Sequence, residues 1–443
     1  MRPAIITDIE TNGLLDTVSK FHCAWTYNTV TEEWLSWRPH QAYEYFKFLD
    51  DSMGDGLNLV FHNGIKYDIP ALKILNGRFA CDPVGKIIDT LVYARLVWAN
   101  IEAQDTGLMK AGRLPGKLFG SHSLEAYGYR LGLLKGTYGK QENAWEVFTE
   151  EMLEYCKRDV EVTLKLYEKL EAKGYPKMAI DLEHQIAWVM AKQERNGFCF
   201  NENAAGELYG ELAVRRSQIE DQLVETFGCW YVGKAPKTPK RDNKKLGYLE
   251  GCAFTPVERV MFNPASRTHI GKVLMDRGWK PEEYTATGLP KVDEETLSHI
   301  SGIPEAKLVN EYLMIQKRIG QLAEGDNAWL KLCKKGKIHG SVNPNGAVTG
   351  RATHSYPNVA QVPSVRAPYG KQCRELFGVP QGWYQVGVDA SGLELRCFGH
   401  FLFPYDNGAY IDTILNGDIH TANQLAAGLP TRDNAKTFIL ILG

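Results

Sequence analysis

The tightest constraint on this chain lies at its start. Ile5, Ile6 and Ile9 with their neighbours make a short apolar strand, and Asp8 and Glu10 sit inside it two residues apart. Residues i and i+2 of a strand point to one face. Two carboxylates are thereby held side by side against an apolar sheet, where like charges repel unless a cation neutralises them. A second apolar strand ends at Val60 and Phe61, just before His62-Asn63-Gly64, and Asp68 follows that turn-like segment. From Trp145 to Leu170 the periodicity turns helical, with Phe148, Met152, Tyr155, Cys156 and Val160 at three- and four-residue spacing. Tyr155 and Asp159, at i and i+4, stack on one face of that helix. Strands followed by helices predict an α/β domain, with a boundary at Gly174-Tyr175-Pro176.

Four acids from three segments would hold divalent cations, and hard oxygen ligands favour Mg2+ or Mn2+ over zinc. Two such ions clamp the attacking and leaving oxygens when a phosphodiester is hydrolysed. Asp8 is expected to bridge the two ions, with Glu10 and Asp159 completing the shell of one. Asp68 would hold the other ion, directly or through water, and the Tyr155 hydroxyl would orient the attacking water.

Either pair alone is commonplace on strands and helices; the order of the three segments is what carries weight. Thr7-Asp8-Ile9-Glu10-Thr11, Asn63-Gly64-Ile65-Lys66-Tyr67-Asp68 and Tyr155-Cys156-Lys157-Arg158-Asp159 resemble the three motifs of the DEDD exonuclease superfamily, tyrosine subtype. The resemblance implies an RNase H-like fold and removal of nucleotides from a single-stranded 3′ end. Asn63 and the Asp89-Thr90-Leu91 segment also match family positions, and Asp89 is expected to be structural.

Composition does not oppose this. The net charge of −2 at first disfavours a nucleic-acid partner, but residues 1–60 carry nine acids against four bases. Lys234, Lys237, Lys240, Arg241, Lys244 and Lys245 crowd into twelve positions with only Asp242 opposing. Attraction to DNA depends on such local faces, not on the total. No window holds eighteen consecutive apolar residues, so no membrane association is expected. The nine cysteines are scattered, odd in number and never form Cys-x-x-Cys, which predicts a reducing compartment.

Further along, long helices are expected over 180–225 with a break at Asn196-Gly197, and an exposed basic loop over 232–245. A second helical run is expected over about 305–335, then irregular chain with short strands over 339–370. Val386 and Val388 predict a strand leading into Asp389, and a helix from about Gly392. This half resembles the family A DNA polymerases, in particular the replicative enzymes of T-odd podophages. The resemblance rests on Ala191-Lys192-Gln193-Glu194-Arg195-Asn196-Gly197, Glu311–Arg318, Asn343–Arg351, Val388–Arg396 and Arg432-Asp433-Asn434-Ala435-Lys436. It covers the chain to about Ile439. It implies three parts: an α/β RNase H-like exonuclease domain (1–175), a thumb-like helical region (176–338) and a partial α+β polymerase palm with the start of the fingers (339–443).

The resemblance also implies roles. Asp389 matches the palm carboxylate that binds catalytic Mg2+. Glu394 matches the residue that shapes the nucleotide pocket, and His420, Arg432 and Lys436 match triphosphate-binding groups. Thr349, Arg351, Asn358 and Gln361, with Lys317 and Arg318, match positions that contact primer–template DNA. The implied function is a phage DNA-directed DNA polymerase polypeptide with a proofreading exonuclease, at work in the cytoplasm of an infected bacterial host and using dNTPs.

Three departures qualify these expectations. Leu440 stands where the family's fingers helix has an aromatic residue. The reading frame closes at Gly443, before the second palm carboxylate, so the polymerase site is expected to need a separate C-terminal fragment while the exonuclease is complete. The thumb insertion that binds host thioredoxin in podophage enzymes is reduced to the basic link, so thioredoxin is not expected as a partner. The alternatives are a stand-alone 3′→5′ exonuclease and an inactive DNA-binding half of a split polymerase.

Overall fold

The computed structural model describes residues 2–76, 86–134, 136 and 138–435. Two compact units, Met1–Gly378 and Val379–Gly443, divide the chain.

In the larger unit, the apolar run at the start forms β1 (Ala4–Thr11). With β2 (Phe21–Asn28), β3 (Trp34–Trp37), β4 (Asn58–Phe61) and β5 (Ile87–Asp89) it makes a five-stranded sheet in the order β3-β2-β1-β4-β5. The β1–β2 and β2–β3 pairs are antiparallel, whereas β4 lies parallel to β1 and to β5. Helices α1 (Ala42–Gly54), α2 (Asp68–Asn76), α3 (Thr90–Val97), α4 (Ile101–Lys110), α5 (Leu124–Leu131) and α6 (Glu150–Glu171) accompany it. Ile5 and Ile9 enter one core with Tyr45, Leu49, Leu59 and Phe61. Ala4 and Ile6 enter another with Tyr93, Val160, Leu166 and Tyr167. Strand alternation then turns Asp8 and Glu10 to the side of Ala4 and Ile6, which is the side covered by α6. Thr149 caps α6 by accepting from the Met152 amide, and Glu150 and Glu151 complement the dipole of its first turn.

After the Gly174-Tyr175-Pro176 break, α7 (Lys177–Asn196) still packs on the first sheet. Ala187 and Ala191 join the core of Ile5 and Ile9, and Ile180 joins that of Ile6. A separate core gathers the rest of this unit, starting from β6 (Phe198–Phe200) and α8 (Glu202–Phe227). A hairpin follows, β7 (Cys229–Gly233) with β8 (Val257–Met261), and then α9 (Arg267–Asp276), α10 (Glu294–Ser298) and α11 (Glu305–Ile319). The α11 helix runs into a π-helical turn, Gly320–Glu324, before α12 (Trp329–Leu332). Leu208, Leu212 and Ile219 of α8 meet Val309, Tyr312 and Ile315 of α11 there, and Arg215 and Arg216 bridge to Glu311 and Glu324. The expected irregular stretch, 339–370, holds β10 (Ser341–Asn343) and β11 (Thr353–Ser355), with β9 (Lys337–Ile338) just before it and α13 (Gly370–Glu375) and β12 (Phe377–Gly378) at and beyond its end.

The smaller unit contains α14 (Leu393–Asp406), α15 (Ala409–Asn416) and α16 (Ile419–Ala426). Helix α14 begins where expected, behind Gly392 with its left-handed φ of 59°. The strand expected at Val386 and Val388 does not form. Residues 383–390 are irregular, and the two valines are 83% and 93% exposed. Their alternation suits a strand, but a strand needs a partner for its backbone groups, and none among the described residues pairs with them.

Candidate active site

The three N-terminal segments converge around the second half of β1. Asp8 and Glu10 lie opposite Trp25 and Cys23 on β2, and their carboxylate oxygens come within 4.8 Å of one another and of the Cys156 sulfur. Cys156 belongs to α6; its Sγ is 3.4 Å from the Asp8 carbonyl oxygen and 3.9 Å from Oδ2. Burial pushes that thiol up, so it stays neutral and donates to Asp8. Asp159, one turn further along α6, is buried, as is Asp68 at the start of α2. Burial, with Asp89 and Asp159 close by, pushes the Asp68 carboxyl up to about 7, even though the Ile9 backbone hydrogen-bonds it. The Tyr67 hydroxyl senses Asp68, Glu10 and Asp8 together, and burial with these charges pushes it up. Four carboxylates thus share one small region in which at least one of them is costly to ionise. Carboxylate oxygens beside a neutral thiol suit hard divalent cations.

A scaffold of hydrogen bonds fixes Asp68. Asn63 adopts a left-handed φ of 71°, and a Cβ on Gly64 would lie 2.4 Å from the Phe61 Cβ, so the turn tolerates only glycine there. The buried Asp89 carboxylate accepts from the amides of Asn63 (2.8 Å), Ile65 (3.1 Å) and Leu91 (2.9 Å), which caps α3 and pins the turn. Its own amide donates to His184 Nε2 of α7 at 2.8 Å. These bonds give Asp89 a structural part in the turn. Lys66 ties the same turn to Glu194 of α7 (2.7 Å) and to the Ser341 hydroxyl of β10 (2.8 Å).

A cavity of about 710 Å³ opens on these acids, with Asp8 and Asp159 in its wall. Also in the wall are His62, Arg95 and His122, and, from the run beginning at Asn343, the residues Asn343, Asn345 and Gly346. Sequence alone did not single these out for this site. Asn343 and Asn345 carried a signal through their run, His62 through its place beside Asn63, and Arg95 and His122 none. Tyr155 does not line this cavity. Its ring lies 5.9 Å from those of Tyr138 and Trp145, in an aromatic cluster one turn from Asp159.

The remaining candidate residues are spread out. Lys317 is exposed and pairs with Glu294 at 3.6 Å; Arg318 is buried and donates to the Pro368 carbonyl and to Gln321 Oε1, both at 3.3 Å. Thr349 and Arg351 are exposed in the connection between β10 and β11. Asn358 caps a short turn through Ala360, and the Gln361 carbonyl accepts from Gln321 Nε2. In the smaller unit Asp389 and Glu394 are exposed. Arg432 grips Asp418 with two bonds of 2.8 and 3.1 Å, and Asp418 also accepts from the His420 amide at 3.1 Å, which brings Arg432 and His420 to one carboxylate. Lys436 lies outside the described residues.

The sequence model of DNA polymerase family A matches residues 237–430. The DNA-directed DNA polymerase of Escherichia phage T7 is 47% identical across 98% of this chain and 74% of its own length. That of Enterobacteria phage T3 is 46% identical over the same shares. These alignments run over 524 positions for a chain of 443 residues, so the relatives carry segments that this chain lacks. Among solved structures, the POL domain of Pol1 from M. smegmatis, in complex with DNA primer-template and dNTP, superposes with a TM-score of 0.66 at 16% identity. It covers 100% of this chain and 67% of the mycobacterial one, which shows a shared mixed α/β fold. Near-half identity along almost the entire chain, with the family match through its second half, makes this chain a member of the family A DNA polymerases.

Proposed function

We propose that this chain is a phage DNA-directed DNA polymerase polypeptide that carries its own 3′→5′ proofreading exonuclease, acting in the infected bacterial host. Residues 1–175 would form the RNase H-like exonuclease domain, 176–338 the thumb and 339–443 the part of the palm and fingers present here. The observation that carries the exonuclease is the gathering of Asp8, Glu10, Asp68 and Asp159 beside one open cavity. Membership of the polymerase family supports the rest, and primer–template DNA and dNTP are the ligands it implies.

In this mechanism Asp8, Glu10, Asp68 and Asp159 would hold two Mg2+ or Mn2+ ions. When bound, such ions supply an activated water and neutralise charge on both oxygens of an in-line displacement. The chain's own residues prepare that event. The Asp89 carboxylate holds the turn that aims Asp68, and the neutral Cys156 thiol steadies Asp8. His122, which burial and the nearby Arg95 and Arg130 push down to about 4, faces the cavity as a neutral ring able to meet a base or sugar. The Tyr155 hydroxyl would orient the attacking water after rotating from its aromatic cluster. For polymerisation, Asp389 would take Mg2+, while Glu394, His420, Arg432 and Lys436 would meet the dNTP. Arg432 would have to exchange Asp418 for phosphate, another bidentate oxygen partner.

The test is digestion of a 3′-labelled single-stranded oligonucleotide in Mg2+. Asp8→Ala with Glu10→Ala should lower the rate by a factor on the order of 10³ or more, as loss of metal-borne charge stabilisation implies. A double variant that digests at the parent rate would show that the nuclease site lies elsewhere.

A further inference from the structure

Helix α6 brings more than Asp159 to the exonuclease carboxylates. Its buried stripe runs Met152, Cys156, Val160 and Thr163, and a small apolar residue would fill the second place as well as cysteine does. A sulfur stands there instead, three residues before Asp159 and so on the same side of the helix. Its surroundings are not apolar alone. The Cys156 Sγ is 3.4 Å from the Asp8 carbonyl oxygen and 3.9 Å from Asp8 Oδ2. One donor atom each from Asp8, Glu10 and Cys156 lie within 4.8 Å of one another, and no other three acid, cysteine or histidine side chains do so among the described residues. Cys23, which faces Glu10 across the β1–β2 pair, is buried too and shares a hydrogen bond with the Cys156 thiol.

The spacing fits an ion bound through sulfur as well as oxygen. Zinc binds thiolate at about 2.3 Å and carboxylate oxygen at about 2.0 to 2.2 Å, and a tetrahedral angle then sets the two donors about 3.6 Å apart. The Cys156 Sγ and Asp8 Oδ2 need to close only a little from 3.9 Å to meet that separation. Hard cations take oxygen and leave the thiol protonated, whereas softer ones select thiolate. An ion of the second kind displaces the thiol proton to solvent and forms one metal–sulfur bond beside its metal–oxygen bonds.

We infer that Cys156, Asp8 and Glu10 give the exonuclease metal site a second, inhibitory mode, which captures thiophilic divalent cations of the zinc and cadmium class. The inference rests on the exonuclease function proposed above. Asp8 is the carboxylate expected to bridge both catalytic ions, and in this mode it is drawn to the α6 sulfur together with Glu10. A four-coordinate ion held that way displaces the pair of oxygen-bound ions that hydrolysis needs. A trace of thiophilic cation therefore stops digestion even in excess Mg2+.

The test titrates Cd2+ into the full chain and compares the parent with Cys156→Ser and Cys156→Ala. Ultraviolet absorption follows the sulfur-to-cadmium charge-transfer band, and a separate assay in Mg2+ follows digestion of a single-stranded 3′ end. The exposed Cys252 and Cys397 also offer sulfur to Cd2+, so all three proteins carry C252S/C397S. The parent should show a saturable band that both variants lack. The Cd2+ concentration that halves digestion, taken against each protein's own rate in Mg2+ alone, should rise in the variants by on the order of 100-fold. The Mg2+ concentration for half-maximal digestion should move far less. Equal bands in the parent and the variants, or equal sensitivity to Cd2+ while the parent digests in Mg2+, overturn the inference. A parent that shows the Cys156-dependent band but digests nothing in Mg2+ overturns the exonuclease function and the inhibitory role with it, and leaves the sulfur-bearing metal site standing.

Discussion

His122 is half-buried near Arg95 and Arg130, and both cations add to desolvation in opposing a proton on its ring. Its pKa of about 4 in the folded chain lies below the ordinary 6.5. Between those two values the unfolded chain binds the extra proton and the folded one does not. Stability from this group is therefore fully present above about 6.5 and is lost as pH falls towards 4, by on the order of 2 to 3 kcal/mol. Urea midpoints measured from pH 4 to 7 should show this acid limb in the parent and a shallower one in His122→Gln; parallel curves would refute the depressed pKa. Residues differ in how visible they are from sequence. Asp8 and Glu10 were legible because strand alternation is a local rule, and Asp159 followed from helical spacing to Tyr155. Arg95 and His122 were not, because only the packing of α3 and of the chain before α5 brings them to the same cavity wall. The Tyr155 ring shows the limit of spacing alone, since its neighbours Tyr138 and Trp145, not its position, decide where it lies.

At the scale of elements, the turn after β4 depends on one carboxylate. Asp89 ends β5, caps α3 and holds the amides of Asn63 and Ile65, so truncating it strands three donors, two of them on the turn that leads to Asp68. Asp89→Ala should cost roughly 2 to 4 kcal/mol, the sum of a lost cap and buried amides left without acceptors. Exonuclease activity should fall with it although Asp89 is not assigned a metal. Asp89→Asn, which keeps an acceptor oxygen, should recover part of the stability; a thermal melt beside the digestion assay reads both, and an unshifted melt for the Ala variant would deny this role. Side-chain caps at Ser123, Thr149 and Asn201 set the starts of α5, α6 and α8, whereas apolar period alone put the start of the α6 run at Trp145, short of its cap. Val386 and Val388 show the converse. A strand is completed by its neighbours, and alternation says nothing about whether they are present.

At the scale of the whole molecule, the two cores of the first sheet and the third core built on α8 and α11 all fall within Met1–Gly378. The segment that follows is irregular, with Trp383 70% and Tyr384 91% exposed. Brief chymotrypsin treatment should cut first after one of these two aromatics and leave the larger unit folded, as seen by mass spectrometry and retained 3′-end digestion. First cleavage inside α8 or α11 would contradict this partition. The division into cores was only partly legible, because Gly174-Tyr175-Pro176 punctuates the chain without ending its first packing layer. Helix α7 lies beyond that break and yet supplies His184 to Asp89, Glu194 to Lys66, and Ala187 and Ala191 to the sheet. For inheritance this means that a crossover between two related genes at codon 175 would separate partners that must match. Hybrids joined near codon 197, after α7, would keep those partners together, so recombination should leave its seams there.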